Sequence, residues 1–523
     1  MRFGLLSCQL TNLMSFPLNF PLRERQTAER MLVCQFGAML RWVTLLSGVV
    51  ECLFFGGIIF GWASLAVILK REGYFSDHCI NATGDNSSEY TDCSGQDEQL
   101  SLVFTIASMM SRFFILPNGF FFDHFGTMAT RILAILVFTT GSLLIAFSSA
   151  ELSVLIFPAL SCLNVAGLLL FVTNIQISNI FGSYQSIIVT LISGSTMSSP
   201  VVFLIIKILH ERGISLRSSF LFISGCSVIH LLRTFFLMPK THIPYPLPEG
   251  YTYGMSCCGQ SNSMVPQGAG TTESNGIVQR EIGAVPQAGD TQPSENTASN
   301  VMSFRSCVLS WFYLLHLVWF CAIQLNTFFI IGTLNAMFAR LTNGDPSLVS
   351  SYTNAFAFTQ LCGILCAPLN GLIIGRNKGK PRAPGETEKE ADLRSSVLSL
   401  FLTALLCLLF SICASIPVLP LQYFTFVLQV LTMSFLFGGN SAFIRIVFPS
   451  CHYGKLYGLV LCLSGVVLLL QFPLTILVND VLQGNPLYVN IGLIILSLLA
   501  FLHPLYVYLH CRRQAAHRLR LNS

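Results

Sequence analysis

Charged side chains are scarce in this sequence. Asp, Glu, Lys and Arg make up 10% of its 523 residues, whereas an average soluble domain has about 25%. A water-soluble protein of this length needs more surface charge than that. The 29 basic and 24 acidic residues leave a net charge of +5, which is not the strongly basic surface of a nucleic-acid-binding protein. The composition therefore disfavours a soluble enzyme, a disordered chain and a nucleic-acid partner, and it favours a membrane protein.

Catalytic and metal-binding patterns are also missing from the sequence. The ten histidines are scattered, and no nucleophile, base or metal-ligand set is clustered along the chain. The run Gly375–Lys380 is one residue short of the phosphate-binding loop that an ATP-driven pump requires. The first 42 residues lack the short apolar core of a signal peptide. We therefore expect no enzyme activity, no metal and no cofactor.

Long apolar runs recur along almost the whole chain. A helix needs about 20 apolar residues to cross a bilayer, and only helices or closed barrels satisfy the backbone in lipid. These runs are continuous, whereas barrel strands alternate between apolar and polar residues. We therefore predict an all-α membrane protein with twelve transmembrane helices, spans one to twelve, at residues 43–69, 100–122, 132–150, 152–180, 186–209, 217–238, 309–338, 349–374, 395–416, 418–448, 456–480 and 487–510.

A polar stretch divides the spans into two groups. Residues 239–308 are rich in Gly, Pro, Ser, Thr, Asn and Gln, a composition that predicts a disordered linker. The linker separates an N-terminal half of six spans (43–238) from a C-terminal half (309–510). Basic residues concentrate before the first span, between spans eight and nine, and after the last span. The positive-inside rule therefore places the N-terminal segment 1–42, the linker and the tail 511–523 in the cytosol.

The loop 71–99, between spans one and two, falls on the outer side in this topology. It contains Asn81 and Asn86 in glycosylation acceptor sequences, which are used only when they face the secretory lumen. Cys79 and Cys93 bracket both sites, and an oxidising compartment favours a disulfide between them. We predict an outer loop that is glycosylated at both asparagines and closed by this disulfide.

The two halves resemble each other at corresponding positions. Span two ends in Pro117-Asn118-Gly119, and span eight ends in Pro368-Leu369-Asn370-Gly371. Parallel repeats of six helices around a central path are typical of the major facilitator superfamily. The sequence therefore predicts that fold.

The loop after span two resembles the G-x-x-x-D-R-x-G signature of that superfamily. The matching residues are Gly119, Asp123, His124 in place of the usual Arg, and Gly126, with Arg131 further along. Gly119 is expected to permit close helix approach. Asp123 is expected to pair with a cation or a helix N-terminus in one conformation. We predict that these five residues form a conformational latch.

Longer stretches resemble the solute carrier 43 transporters. They include Glu51-Cys52-Leu53-Phe54 and Phe448-Pro449-Ser450, and the resemblance runs from about residue 40 to 512. The runs 244–248 and 352–360 resemble the family's third member, a sodium-independent carrier of purine nucleobases. The resemblance implies a monomeric, multi-pass uniporter of the plasma membrane. Its partners would be the lipid bilayer and a small-molecule substrate such as adenine, guanine or hypoxanthine.

A carrier of flat, neutral purines needs amides that both donate and accept hydrogen bonds, together with aromatic faces for stacking. Gln324, Gln360 and Asn440 are the leading candidates because they lie deep within their spans. The alternative for each amide is a hydrogen bond between helices that holds the bundle together. The other predicted substrate-binding residues are Asn354, Phe358, Glu51 and Gln176.

Ionisable groups inside spans are functional candidates because charge is costly in lipid. The candidates of this kind are Glu51, Arg112 and Arg445. We expect Glu51 to pair with one of the two arginines for structure, the alternatives being contact with a purine N–H or proton coupling. His316 and His503 are expected to be hydrogen-bonded core residues.

Two other functions stay open at this point. A large neutral amino-acid uniporter of the same family would need partners for both the carboxylate and the ammonium of its substrate. A regulator of fatty-acid flux would act through partner binding, with the linker 239–308 as its docking element. An uptake assay with adenine and leucine separates the first from a purine carrier.

Overall fold

The structure is a computed structural model. It describes residues 39–83, 89–244, 247, 251, 253, 302–376, 386–449 and 452–522. The chain divides into two compact units, one of which comprises Met1–Phe20 and Ser256–Ser303. The other unit, Pro21–Met255 with Phe304–Ser523, contains every helix and strand discussed below. The N-terminal segment 1–38 and nearly all of the predicted linker lie outside the described residues, so their predicted roles stay predictions.

Helices dominate both halves of the chain. Before the linker they are Met39–Gly56, Trp62–Arg71, Ser94–Phe113, Ile115–Ala146, Ile156–Ile175, Gln185–Met197, Val201–Glu211, Leu216–Gly225 and Ser227–Phe236. After the linker they are Phe304–Val308, Trp311–Gly332, Leu334–Leu341, Pro346–Gln360, Gly363–Gly375, Glu388–Ser415, Leu421–Val447, Tyr453–Leu468, Gln471–Ile476, Leu487–Leu499 and Leu502–Asn522.

The helices account for the predicted spans. Among the described residues, ten helices are long and apolar enough to cross a membrane, or eleven when the pair Pro346–Gln360 and Gly363–Gly375, bent by 43°, counts as one. One of the ten, Ser94–Ala146, has 53 residues. At 1.5 Å per residue it extends about 80 Å, more than twice the hydrocarbon thickness of about 30 Å. Gly126, at φ 79°, divides this stretch into spans two and three, which brings the total to the predicted twelve.

Side-chain caps explain where several helices of the C-terminal half begin. The Ser310 hydroxyl accepts the Tyr313 N–H at the start of span seven. Asp345 accepts the N–H of Ser347 at the start of span eight. This backbone hydrogen bond lowers the pKa of the exposed Asp345 carboxyl. Thr387 forms a capping box before span nine. Such caps satisfy backbone donors that have no partner within the first turn of a helix.

The loop between spans one and two departs from a purely helical fold. Ile80–Thr83 and Glu89–Asp92 form a small antiparallel hairpin. The predicted disulfide between Cys79 and Cys93 closes its base, so that prediction is confirmed. Asn81 lies in the first strand, and Asn86 lies outside the described residues. The side of the bundle that carries this loop is called the hairpin end below.

Helices from the two halves pack directly against each other. The hydroxyls of Ser101 in span two and Thr475 in span eleven lie 3.1 Å apart. Asn335, near the end of span seven, donates to the Ala63 carbonyl of span one at 2.8 Å. The Ser198 hydroxyl of span five accepts the N–H of Ile364 in span eight at 3.0 Å. The interface between the halves also includes Arg112, whose surroundings are described below.

Candidate functional site

Glu51 is the centre of a buried ionic cluster in the N-terminal half. Its Oε1 lies 2.5 Å from Arg131 Nη2 and 2.8 Å from His230 Nδ1. Its Oε2 accepts from Asn174 Nδ2 at 2.7 Å and pairs with Arg233 Nη1. All five side chains are buried. An ion pair survives in such surroundings only when hydrogen bonds satisfy its remaining polar atoms, and this arrangement supplies them.

The predicted structural pairing of Glu51 is confirmed, but its predicted partners are wrong. Neither Arg112 nor Arg445 contacts Glu51. Arg445 is exposed and lies over the ring of Tyr453, 5.2 Å from its centroid. The partners come from spans three, four and six, because the rotation of each helix is set by packing that the sequence does not reveal. Both Glu51 carboxylate oxygens are engaged, so the predicted substrate contact has no free acceptor in this conformation.

Arg112 lies between the two halves. Its guanidinium lies over two rings from the C-terminal half, 5.5 Å from the Phe328 centroid and 5.1 Å from the Phe437 centroid. The side chain is 8% exposed, and it has no hydrogen bond or ion pair with any described residue. Gly465 makes this placement possible, since a Cβ there would lie 2.6 Å from Arg112 Cβ. A buried cation without an anionic partner is costly, which marks Arg112 as a functional candidate.

Gln324, like Arg112, is a buried polar side chain that has no hydrogen-bond partner among the described residues. It is fully buried, and neither its Oε1 nor its Nε2 has a hydrogen-bond partner in the described part of the chain. Phe320 and Phe328 lie one helical turn before and after it, on the same face of span seven. The Phe320 ring is 5.9 Å from that of Phe437, which also contacts Arg112. The name "central site" is used below for Arg112, Phe320, Gln324, Phe328 and Phe437.

The other two leading amides make bonds between helices. Gln360 donates to Gln429 Oε1 at 2.6 Å, which joins spans eight and ten. Asn440 Oδ1 lies 2.9 Å from His316 Nε2, while its Nδ2 has no partner among the described residues. His316 in turn contacts His503 at 3.2 Å. The two histidines are therefore bonded core residues, as predicted.

The remaining predicted substrate residues lie apart from the central site. Asn354 accepts from Lys207 Nζ at 2.6 Å near the hairpin end. Phe358 is 53% exposed rather than buried in the interior. Gln176 is satisfied at the opposite end, where its amide donates to the Thr127 hydroxyl at 2.8 Å. Of the seven substrate residues predicted from the sequence, Gln324 alone is brought into the central site.

The predicted latch residues do not form one cluster. No atom of the described residues lies within 4 Å of the position that a Cβ on Gly119 would take, so the expected close approach there is wrong. Asp123 and His124 are exposed, and Asp123 forms no ion pair within the described ranges. Gly126 makes the turn between spans two and three, and Arg131 belongs to the Glu51 cluster. A latch through Asp123 stays a prediction.

A charged contact that the sequence reading missed joins the two halves at the hairpin end. Lys207 of span five is fully buried, and its Nζ donates to the Ser350 carbonyl at 3.0 Å and the Ser350 hydroxyl at 2.7 Å. It also donates to Asn354 and lies 3.6 Å from Glu211 Oε1. This set is called the Lys207 bridge. Lys207 and Arg233 both lie inside predicted spans, so the rule that singled out Glu51 also identifies them.

A cavity of about 310 Å³ opens at the hairpin end. Its polar lining includes Lys70, Asp97, Asn335 and Arg340, and Trp62 forms part of its wall. The Trp62 ring stacks on Phe104, which stacks on Phe328, with centroids 6.0 Å apart in each pair. Because Phe328 belongs to the central site, this row of three rings stands between the cavity and that site.

Several known proteins similar to this chain are named as transporters. Over 484 residues the chain is 46% identical to "Equilibrative nucleobase transporter 1" of Bos taurus, covering 91% of this chain and 98% of that protein. The chain belongs to the solute carrier 43 family. This family member is also 31% identical to "Large neutral amino acids transporter small subunit 3" of Homo sapiens, over 90% of this chain and 94% of that protein. No protein-family model matches the sequence.

A solved structure confirms the predicted fold class. The crystal structure of the nucleoside transporter NupG superposes with a TM-score of 0.51, covering 90% of this chain and 99% of that one, at 10% identity. At such low identity the likeness shows the fold alone. This solute carrier 43 protein is therefore a multi-pass membrane transporter of the major facilitator superfamily fold and not an enzyme.

Proposed function

We propose that the protein carries purine nucleobases such as adenine, guanine and hypoxanthine by sodium-independent facilitative transport. The central site is the observation that carries this proposal, because it combines an unpartnered buried amide with aromatic rings between the two halves. The 46% identity to a nucleobase transporter, against 31% to an amino-acid transporter, supports the same substrate class.

The chemistry of the site suits a neutral, planar ligand. A purine offers hydrogen-bond donors and acceptors at its edge. The Gln324 amide can accept from the donors through Oε1 and donate to the acceptors through Nε2. Its faces stack on aromatic rings, a contact worth about 1–3 kcal/mol per base in nucleic-acid sites. A base that pairs with Gln324 would remove the cost of leaving that amide unpartnered in an apolar interior. Purine binding therefore uses the features that the free site leaves unsatisfied.

Alternating access requires that the substrate touch both halves. Arg112 comes from span two, whereas Gln324, Phe328 and Phe437 come from spans seven and ten. We propose that the hairpin end faces outside the cell, with glycans on Asn81 and Asn86 and both termini in the cytosol. Opening toward the outside then breaks the Lys207 bridge, and we propose that Asp123 pairs on the cytosolic side when that side closes. The carrier is proposed to act as a plasma-membrane monomer.

A large neutral amino-acid uniporter is the second candidate. The 31% identical human relative supports it, and Arg112 is a suitable partner for a carboxylate. Among the described residues, however, the central site contains no carboxylate for the substrate's ammonium group, and a second cation beside Arg112 is repelled by it. A site with a cation and without a carboxylate therefore favours a neutral base over a zwitterionic amino acid.

Uptake of labelled adenine and labelled leucine by cells expressing the chain tests the proposal. We expect saturable adenine uptake that persists when sodium is replaced by choline, and no saturable leucine uptake. Cells expressing no transporter give the background. Saturable leucine uptake without adenine uptake would overturn the proposed substrate class in favour of the amino-acid uniporter.

A further inference from the structure

Arg112 differs from the other buried cations of the two halves. Arg131 and Arg233 pair with Glu51, and Lys207 donates to Ser350 and Asn354. Arg112 has two aromatic rings against its guanidinium and no hydrogen bond or ion pair with any described residue, while the Tyr457 hydroxyl lies near enough to interact with it electrostatically. Its N–H donors are therefore open to a ligand that enters between the two halves.

The surroundings of Arg112 favour a planar ligand. Phe328 and Phe437 both contact the guanidinium, while Gln324 lies one turn from Phe328 on the same helix face. The site therefore places two polar groups near the same rings. The Arg112 guanidinium only donates hydrogen bonds, whereas the Gln324 amide both donates and accepts them. A ligand that stacks on these rings can meet both groups along its edges.

The guanidinium of Arg112 can distinguish purines at position six. Arginine has five N–H donors in a fixed fork and no acceptor. Hypoxanthine and guanine present two adjacent acceptors, O6 and N7, which match that fork in two parallel hydrogen bonds. Adenine presents an N7 acceptor beside an N6 donor, so one arm of the fork faces another donor.

We infer that Arg112 reads the 6-oxo group of the substrate, so that the carrier selects hypoxanthine and guanine through this residue. The inference rests on the proposed purine transport and adds to it the residue that sets base preference. Gln324, which can complement either kind of edge, holds both classes of base. Adenine binds in the same site and stacks on the same rings, but it does not form the two parallel hydrogen bonds with Arg112.

The test compares hypoxanthine with adenine, because the two bases have the same ring skeleton and differ at the position six edge. Uptake efficiency, Vmax/KM, is measured for both in cells expressing the natural chain, Arg112→Gln or Arg112→Lys, with surface protein quantified by biotinylation. Glutamine matches the N6–N7 edge of adenine, so Arg112→Gln should lower the hypoxanthine-to-adenine ratio about tenfold. Arg112→Lys keeps the charge but loses the fork, and it should lower the ratio by a smaller factor.

A second pair of variants keeps the test decisive if the Arg112 substitutions reach the surface poorly. Gly465→Ala places a methyl group 2.6 Å from Arg112 Cβ and must displace that side chain, whereas no neighbouring atom in the described part of the chain lies within 4 Å of a Cβ at Gly492. Gly465→Ala should lower the hypoxanthine-to-adenine ratio, and Gly492→Ala should leave it unchanged. An unchanged ratio in Gly465→Ala, or in Arg112→Gln at normal surface level, overturns the inference.

The failure of this inference differs from the failure of the proposed function. If the natural chain takes up neither base, purine transport itself is wrong. If it takes up both, and Arg112→Gln reduces both equally, Arg112 does not read the 6-oxo group. If the natural chain takes up leucine and Arg112→Gln abolishes that uptake, Arg112 binds a carboxylate and the inference is overturned.

Discussion

Lys207 Nζ lies 2.6 Å from Asn354 Oδ1, and this hydrogen bond joins span five of the N-terminal half to span eight of the C-terminal half. Ser350, one turn earlier on span eight, accepts from the same ammonium group. A buried lysine keeps its charge only when such acceptors replace water. Separation of the halves at the hairpin end must therefore break these bonds and expose Lys207.

Replacing Lys207 should weaken closure at the hairpin end. We expect Lys207→Met to increase labelling of a cysteine placed at Asn335, in the wall of the cavity, by a membrane-impermeant thiol reagent. The matched control is Lys70→Met, because Lys70 pairs with Asp97 within the N-terminal half. Equal labelling in the Lys207→Met and Lys70→Met proteins would show that the Lys207 bridge does not hold the two halves together.

Replacing Glu51 should destabilise the N-terminal half. Glu51→Gln leaves the buried Arg131 and Arg233 without their common anion, a type of change that costs about 3–5 kcal/mol in other proteins. We expect a lower melting temperature of the detergent-purified protein in a fluorescence-detected unfolding assay. Glu72→Gln is the control, since Glu72 is exposed and its carboxylate lies beside His210 at the hairpin end. A melting temperature equal to that of the natural chain would contradict a stabilising role for the cluster.

The two glycines of the loop after span two should differ in their tolerance of a side chain. Gly126 has φ 79°, and a Cβ there would lie 3.2 Å from the Lys240 carbonyl oxygen. Gly126→Ala should therefore lower surface expression, because alanine is strained in this conformation. Gly119→Ala should have no such effect, since no atom of the residues described in the structure lies within 4 Å of the added methyl group. The reverse order would support the close approach at Gly119 that the sequence alone suggests.

The outer position of the hairpin has a direct test. If the hairpin end faces outside, Asn81→Gln and Asn86→Gln should each remove one glycan, seen as a stepwise gain in mobility on gels. Glycosidase treatment of the natural chain should produce the same final mobility as the double variant. A natural chain whose mobility glycosidase does not change argues against glycosylation of this loop, and labelling of the hairpin end in intact cells then decides the topology.

Much of the fold could be predicted from the sequence, because the length and apolar character of the spans are local properties. The predicted outer position of loop 71–99 also indicated the disulfide between Cys79 and Cys93. The partners of Glu51 could not be predicted, since they depend on which face each of four helices turns inward. Gln324 was found by its depth, but its joint position with Arg112 arises only from the packing of span two against spans seven and ten.

Binding of adenine to the purified protein tests the central site most directly. The measurement compares the natural chain with Gln324→Ala and with Gln422→Ala, a control in which an equally buried glutamine bonds the Ile416 carbonyl instead. Loss of two hydrogen bonds of about 1 kcal/mol each predicts that Gln324→Ala weakens adenine binding about thirtyfold, while Gln422→Ala binds as the natural chain does. Equal adenine affinity in all three proteins would contradict the assignment of the central site.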